Sequence, residues 1–316
     1  MRVFEEKYPV GTFPRQLKAG IHCDELLYGN LKELSIAITE DNSFLILVSS
    51  QALSVRTGKS TFVQHLAEAW NYIMLKEHGI KLDFDLRNIA FDANEFEEKA
   101  FDLHKRGQKY SVVILDESDD LTGHSLSAEV KKIKRFLRKS GQLNLLMIMI
   151  LPDFFEFPKP VAVNRSIALI TVDYGERFKR GTFKFYDFKA KKKMYIKGKQ
   201  YNDYSVVDST FRGEFARHYL VDEAEYRKLK YRDLLEDAEK QKRKNIELKK
   251  VAILKQTFLN CLRGLKGRVT QKELCKFFEI SEDTALIWKK KKNDATPEQS
   301  ILSPNSDEET TPTPTD

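Results

Sequence analysis

A glycine-lysine-hydroxyl run between a buried strand and a helix leaves a chain few folds to choose from. Here the run is Thr57-Gly58-Lys59-Ser60-Thr61. Phe44 to Val48 before it is a continuous apolar strand, and the stretch from Lys59 to about Glu77 after it has Phe62, Leu66, Trp70 and Ile73 at helical spacing. That order aims the backbone N–H groups of the loop and of the helix N-terminus at an anion, which the helix dipole also favours. In such a loop Thr57, Gly58, Lys59, Ser60 and Thr61 wrap the phosphates of a nucleotide. Lys59 reaches the β/γ-phosphates and the Ser60 hydroxyl ligates Mg²⁺. Leu53 stands where the motif G-x-x-x-x-G-K-[ST] has its first glycine, so a loop that binds ATP without hydrolysing it stays open.

A second element follows about 55 residues on. The strand Val112-Val-Ile-Leu115 runs directly into Asp116-Glu117, and ligands of such sheets bind beyond the carboxyl ends of the strands. Asp116 is the candidate for the Mg²⁺ shell and Glu117 for polarising the attacking water; a solvated acidic loop is the plain alternative. Further apolar strands over Asn88 to Phe91, Leu143 to Leu151 and Ser166 to Val172 alternate with helical patterns, the mark of a parallel sheet covered on both faces. The expected fold class is therefore α/β, a RecA/ASCE-like P-loop NTPase.

Lys59-Ser60, the acid pair in LDESDDL, and the later step from Leu151-Pro152 to Asn164-Arg165 before a strand resemble the FtsK–HerA group of P-loop ATPases, Zot-like proteins of mobile elements among them. The likeness spans about residues 40 to 175, and only the two Walker elements are specific. It implies a ring-forming, ATP-driven motor that moves or packages double-stranded DNA. Arg165 is the candidate for a charge completing the site, within its own chain or in trans from a neighbouring subunit, against the reading of an arginine capping a turn. A DEAD-type helicase is excluded, because no second strand–helix domain follows residue 175.

Residues Gly181 to Ile196 alternate aromatic and polar side chains and read as an antiparallel hairpin on the sheet edge. Its lysines, Lys191, Lys192 and Lys193 above all, are candidates for nucleic-acid contact; a solvated edge blocked against aggregation is the alternative. Thr270 to Trp288 matches a helix-turn-helix, with Leu274, Phe277 and Phe278 on the inner face of its first helix and Glu279 where the turn usually has glycine. The run Lys289, Lys290, Lys291 after it can grip a phosphate backbone, or the unit can serve protein contact alone.

The expected organisation is an N-terminal segment and helix (1–40), the ATPase core (41–175), a basic β-hairpin extension (176–215), a charged helical connector (216–265), the helix-turn-helix (266–292) and a disordered acidic tail (293–316). The net charge is +7, and that tail holds six acids with no Lys or Arg, so the rest of the chain is more basic than the net figure. A polyanionic partner is expected. No apolar run approaches the roughly 18 residues of a membrane span, and three scattered cysteines suggest neither disulfides nor a metal site. A cytoplasmic, oligomeric protein is expected, with ATP and Mg²⁺ as ligands. A nucleotide-switched DNA-binding regulator or partition factor is one alternative. A Zot-like export ATPase is another, and the lack of a membrane segment counts against it.

Overall fold

The computed structural model describes residues 21–51, 56–116, 128–175, 180–265 and 267–293. The chain divides into two compact units, Met1–Leu234 and Leu235–Asp316.

In the first unit, α1 (Glu25–Thr39), β1 (Phe44–Ser49), α2 (Lys59–His78), β2 (Ile89–Ala90), α3 (Ala93–Lys105), β3 (Val112–Leu115), α4 (Ala128–Lys139), β4 (Leu146–Ile150) and β5 (Ala168–Asp173) follow in order. They are succeeded by β6 (Thr182–Tyr186), α5 (Phe188–Gly198), β7 (Phe211–Glu214) and the start of α6 (Glu223–Gly264). The seven strands make one sheet, ordered β2-β3-β4-β1-β5-β6-β7. The first five are parallel, while β6 and β7 add antiparallel at one margin. This mostly parallel sheet with helices on both sides is the α/β class read from the sequence.

Both faces of the sheet are covered, which explains its unbroken apolar strands. Leu45, Leu47, Val113, Leu115, Met147 and Met149 point to the layer formed by α3, α4 and α5. Their alternates Ile46, Val48, Val112, Ile114, Leu146 and Ile148 point to the layer of α1 and α2. Trp70, fully buried on α2, donates its indole N–H to the Tyr110 carbonyl at 2.7 Å, so that its one polar atom is satisfied.

The expected hairpin over 181–196 is half right. Thr182–Tyr186 is an antiparallel strand, but its outer partner is β7, and 188–198 form helix α5. Asp187 caps that helix by accepting from the Ala190 N–H at 2.8 Å. The run KAKKKM is made of good helix formers, and Lys191, Met194, Tyr195 and Gly198 turn inward at helical spacing. Aromatic alternation was a misleading signal past the cap. Residues 180–215 thus belong to the core sheet and its covering layer.

Lys191 illustrates the error. It is fully buried, its ammonium bonded to the Val163 carbonyl (3.3 Å) and to the Ser166 hydroxyl (2.6 Å) and carbonyl, and so has no reach to nucleic acid. Burial among uncharged acceptors lowers its pKa to about 7. The unfolded chain keeps that proton up to about pH 10.4, so the folded state is penalised in full below pH 7 and gains stability as pH rises. Between about pH 7 and 8.5, a contribution of about 1.4 kcal/mol per pH unit is expected. It should vanish in Lys191→Met, as measured by urea unfolding across that range. Equal pH slopes in the two proteins would refute it. Above that range Cys23, whose thiol burial pushes up, works in the opposite direction.

In the second unit the end of α6 packs with α7 (Gln271–Phe277) and α8 (Glu282–Asn293). Phe258, Leu259, Leu274, Cys275 and Ala285 form its core, with Phe278, Ile280 and Trp288 packed against it. Thr270 caps α7 reciprocally with Glu273. Glu279 itself adopts φ 53° and makes the turn where glycine is usual. Phe277, expected inside, is 81% exposed. Cys275, two residues earlier, takes the inward position.

Candidate nucleotide site

Position in the sheet comes first. β1 is central, between β4 and β5, and β3 lies on the far side of β4. Their carboxyl ends therefore bring the head of α2 and Asp116 to one side of the molecule. Gly58 is the N-cap of α2 at φ 103°, a left-handed conformation that suits glycine. A methyl group there would also touch the Phe215 ring at 3.4 Å.

From the first turn of α2, Lys59 Nζ donates to Ser50 Oγ at 3.2 Å and to the Leu151 carbonyl at 3.3 Å, at the ends of β1 and β4. Ser60 Oγ donates to Asp116 Oδ1 at 3.2 Å. Thr57 and Thr61 are buried, and the Thr57 hydroxyl has no hydrogen-bond partner. A buried polar atom left unmet beside a helix N-terminus is what a ligand would satisfy. Asp116 is 2% exposed, and its backbone N–H donates to the Ala90 carbonyl at 2.8 Å, which fixes it just past β3. The structure brings Thr57, Gly58, Lys59, Ser60, Thr61 and Asp116 to one edge of the sheet.

A hydroxyl and a carboxylate 3.2 Å apart are hard oxygen donors and fit Mg²⁺, which commonly takes one or two protein oxygens with phosphate and water for the rest. Glu117 lies outside the described residues.

Two residues that sequence reasoning missed also reach Asp116. The Tyr226 hydroxyl donates to Oδ2, and Lys230 Nζ stands 3.6 Å from Oδ1. Burial, then the adjacent Asp116 charge, push the Tyr226 phenol far above its usual pKa, so it remains a donor. No local pattern marks these positions; they lie 110 residues or more from Asp116 on the first turns of a helix that reads as a charged connector.

Arg165 is elsewhere. It precedes β5, and its guanidinium donates to the Leu137 carbonyl (2.9 Å), the Ser43 carbonyl (3.3 Å) and Ser140 Oγ (3.3 Å). Ser43 directly precedes β1, so Arg165 lies at the amino edge of the sheet, opposite the carboxyl ends that carry Lys59 and Asp116. It is a structural tie and completes no site within its own chain. Lys192 and Lys193 are exposed on α5. Lys289 is tied to Gln271 Oε1, and the side chains of Lys290 and Lys291 lie outside the described residues.

No family model matches the sequence, and no curated protein matches it either. Among solved structures the chain is similar to the genome packaging NTPase B204 from Sulfolobus turreted icosahedral virus 2. In complex with AMP that protein shows 16% identity and a TM-score of 0.31, over 48% of this chain and 95% of that one. With ATP-gammaS the figures are 16%, 0.32, 48% and 94%. The DNA-packaging ATPase B204 from Sulfolobus Turreted Icosahedral Virus gives 14%, 0.30, 48% and 94%. At that identity and superposition the likeness carries no functional argument.

Proposed function

We propose that this chain is an ATP-hydrolysing P-loop protein that acts on DNA, in a translocation, packaging or replication task of a mobile genetic element. The observation that carries the ATPase reading is the Ser60–Asp116 hydrogen bond beside Lys59, at the carboxyl ends of β1 and β3. Lys59 binds the β/γ-phosphates, Ser60 and Asp116 hold Mg²⁺, and Thr57, Gly58 and Thr61 shape the loop. Bound Mg²⁺ supplies neutralisation of phosphate charge. Glu117, next in sequence to Asp116, orients the attacking water. The resemblance to the FtsK–HerA group supports a ring of like subunits.

A basic surface supports the nucleic-acid partner. On α4, Lys131, Lys134, Arg135, Arg138 and Lys139 recur at helical spacing opposite the buried Val130, Ile133, Phe136 and Leu137. On α5, Lys189, Lys192, Lys193 and Lys197 do the same. Both helices cover the same face of the sheet. Among the described residues none of these nine makes an ion pair, whereas Lys132 of α4 is paired with Glu97 at 3.4 Å. Unpaired cations in two stripes suit phosphates, each contact releasing a counterion. Changing Lys134, Arg135 and Arg138 together to Gln is expected to lower the slope of log K against log salt for duplex binding by about 2–3. An unchanged slope in a filter-binding titration would move the DNA contact off this face. The α7–α8 unit is a second candidate contact, as a helix-turn-helix.

The test of the function is ATP turnover with and without duplex DNA, for wild type and Glu117→Gln. DNA-stimulated turnover lost in the variant upholds a motor. DNA binding with slow, DNA-insensitive turnover selects the second reading, a nucleotide-switched regulator. The engagement of Asp116 by Tyr226 and Lys230 favours that second reading.

A further inference from the structure

The contacts of Asp116 are unusual for a residue assigned to a metal shell. Three protein groups converge on one carboxylate: Ser60 Oγ and Lys230 Nζ on Oδ1, and the Tyr226 hydroxyl on Oδ2. A carboxylate this deeply buried needs a positive neighbour, and Lys230 provides it.

The two contributors from α6 differ in mobility. Tyr226 is 2% exposed and packs between Phe91 (ring centroids 5.9 Å apart) and Tyr219 (5.4 Å). The chain leading to it is fastened to α2. Gln64 Oε1 accepts from the Leu220 and Val221 N–H groups at 2.9 and 3.4 Å, and the His65 ring pairs with the His218 carbonyl at 2.9 Å. Asp222 then caps the first turn of α6, accepting from the Glu225 N–H at 2.7 Å. The helix that presents Lys59 and Ser60 thus also anchors the one that presents Tyr226. Lys230, by contrast, keeps 26% of its side chain in solvent at the end of a long flexible stem. Tyr226 is the fixed half of the arrangement and Lys230 the movable half.

Resting on the nucleotide-site reading above, we propose that Tyr226 and Lys230 form a latch on Asp116: Lys230 occupies the cation place beside Asp116 and Ser60, and a divalent ion enters as Lys230 leaves it. Tyr226 is a positioning residue that holds the carboxylate in register throughout. An ammonium and a divalent ion on one carboxylate oxygen repel strongly in a partly buried setting, so the two exclude each other. Metal entry, and with it metal-assisted nucleotide binding, is set by how readily α6 releases its lysine.

The test is Mn²⁺ binding to the full chain without nucleotide, followed by electron paramagnetic resonance, in wild type, Lys230→Met and the double variant with Asp116→Asn. Lys230→Met is expected to bind Mn²⁺ on the order of tenfold more tightly than wild type, and the double variant to lose the gain. Equal or weaker binding by Lys230→Met overturns the latch. A variant-free measurement guards against misfolding: acetylation of Lys230 in wild type, read by mass spectrometry, should accelerate several-fold at saturating Mn²⁺. An unchanged rate likewise overturns it. Binding of a fluorescent ATP analogue at saturating Mg²⁺ separates the two ideas. If the analogue fails to bind, the nucleotide reading falls and the Mn²⁺ data still decide the latch. If it binds while Mn²⁺ affinity is unmoved in Lys230→Met, only the latch falls.

Discussion

Alanine in place of Lys59 is expected to cut ATP turnover by about 10²–10³-fold while leaving the fold nearly intact. The asymmetry follows from what Lys59 touches. Its ammonium stands 3.2 Å from Ser50 Oγ and 3.3 Å from the Leu151 carbonyl. Both acceptors are uncharged and lie at the rim of the sheet, so the stability lost with these bonds is on the order of 1 kcal/mol. Charge developing on a transferred phosphoryl group has far more to lose, because a positioned cation there costs no reorganisation during the reaction. A coupled assay for released phosphate, run beside urea unfolding, checks both halves. Turnover within threefold of wild type would remove Lys59, and with it the phosphate loop, from the chemistry.

The opposite outcome is expected for Arg165→Ala: a loss of about 2–4 kcal/mol in stability, with turnover per folded molecule unchanged. One half-buried guanidinium joins the end of α4 and the two residues around it to the start of β1, through the Leu137 and Ser43 carbonyls and the Ser140 hydroxyl. Truncation leaves acceptors without a donor in a water-poor setting, the expensive way to lose a hydrogen bond. Burial also depresses the Arg165 pKa from its ordinary value, in keeping with a charge held by two carbonyls and a hydroxyl. Urea unfolding of the first unit, with activity normalised to folded protein, is the measurement. A large loss of turnover at full stability would reinstate Arg165 as a site residue, supplied to a neighbouring subunit.

These two residues also mark what the sequence made legible. The closeness of Lys59, Ser60 and Asp116 was legible because the patterns that mark them depend on local order: strand, loop and helix in one case, strand and acid in the other. The Ser60–Asp116 contact at 3.2 Å then follows from parallel strands sharing a carboxyl edge. Arg165 was misplaced because "arginine before a strand" does not say which end of the sheet the strand begins at. β5 is parallel to β1, and the residues just before it lie level with the start of β1, far from the loop. Lys191 was misread for a different reason. Six basic residues within eleven looked like a surface, and the one that faces inward differs from its neighbours only by helical phase. Tyr226 and Lys230 had no signal at all, since their pairing with Asp116 is set by how the chain returns across α2 after β7.

The margins of the sheet carry a consequence for assembly. One outer strand, β2, is two residues long, and the other, β7, has four residues including Gly213. Neither offers enough free backbone to recruit a strand from another molecule, the usual route to edge-to-edge association. Among the described residues, contacts between subunits of the proposed ring are therefore left to side chains on helices and loops. Such contacts break and re-form without disturbing the sheet, so neighbours can shift against each other while each sheet stays rigid.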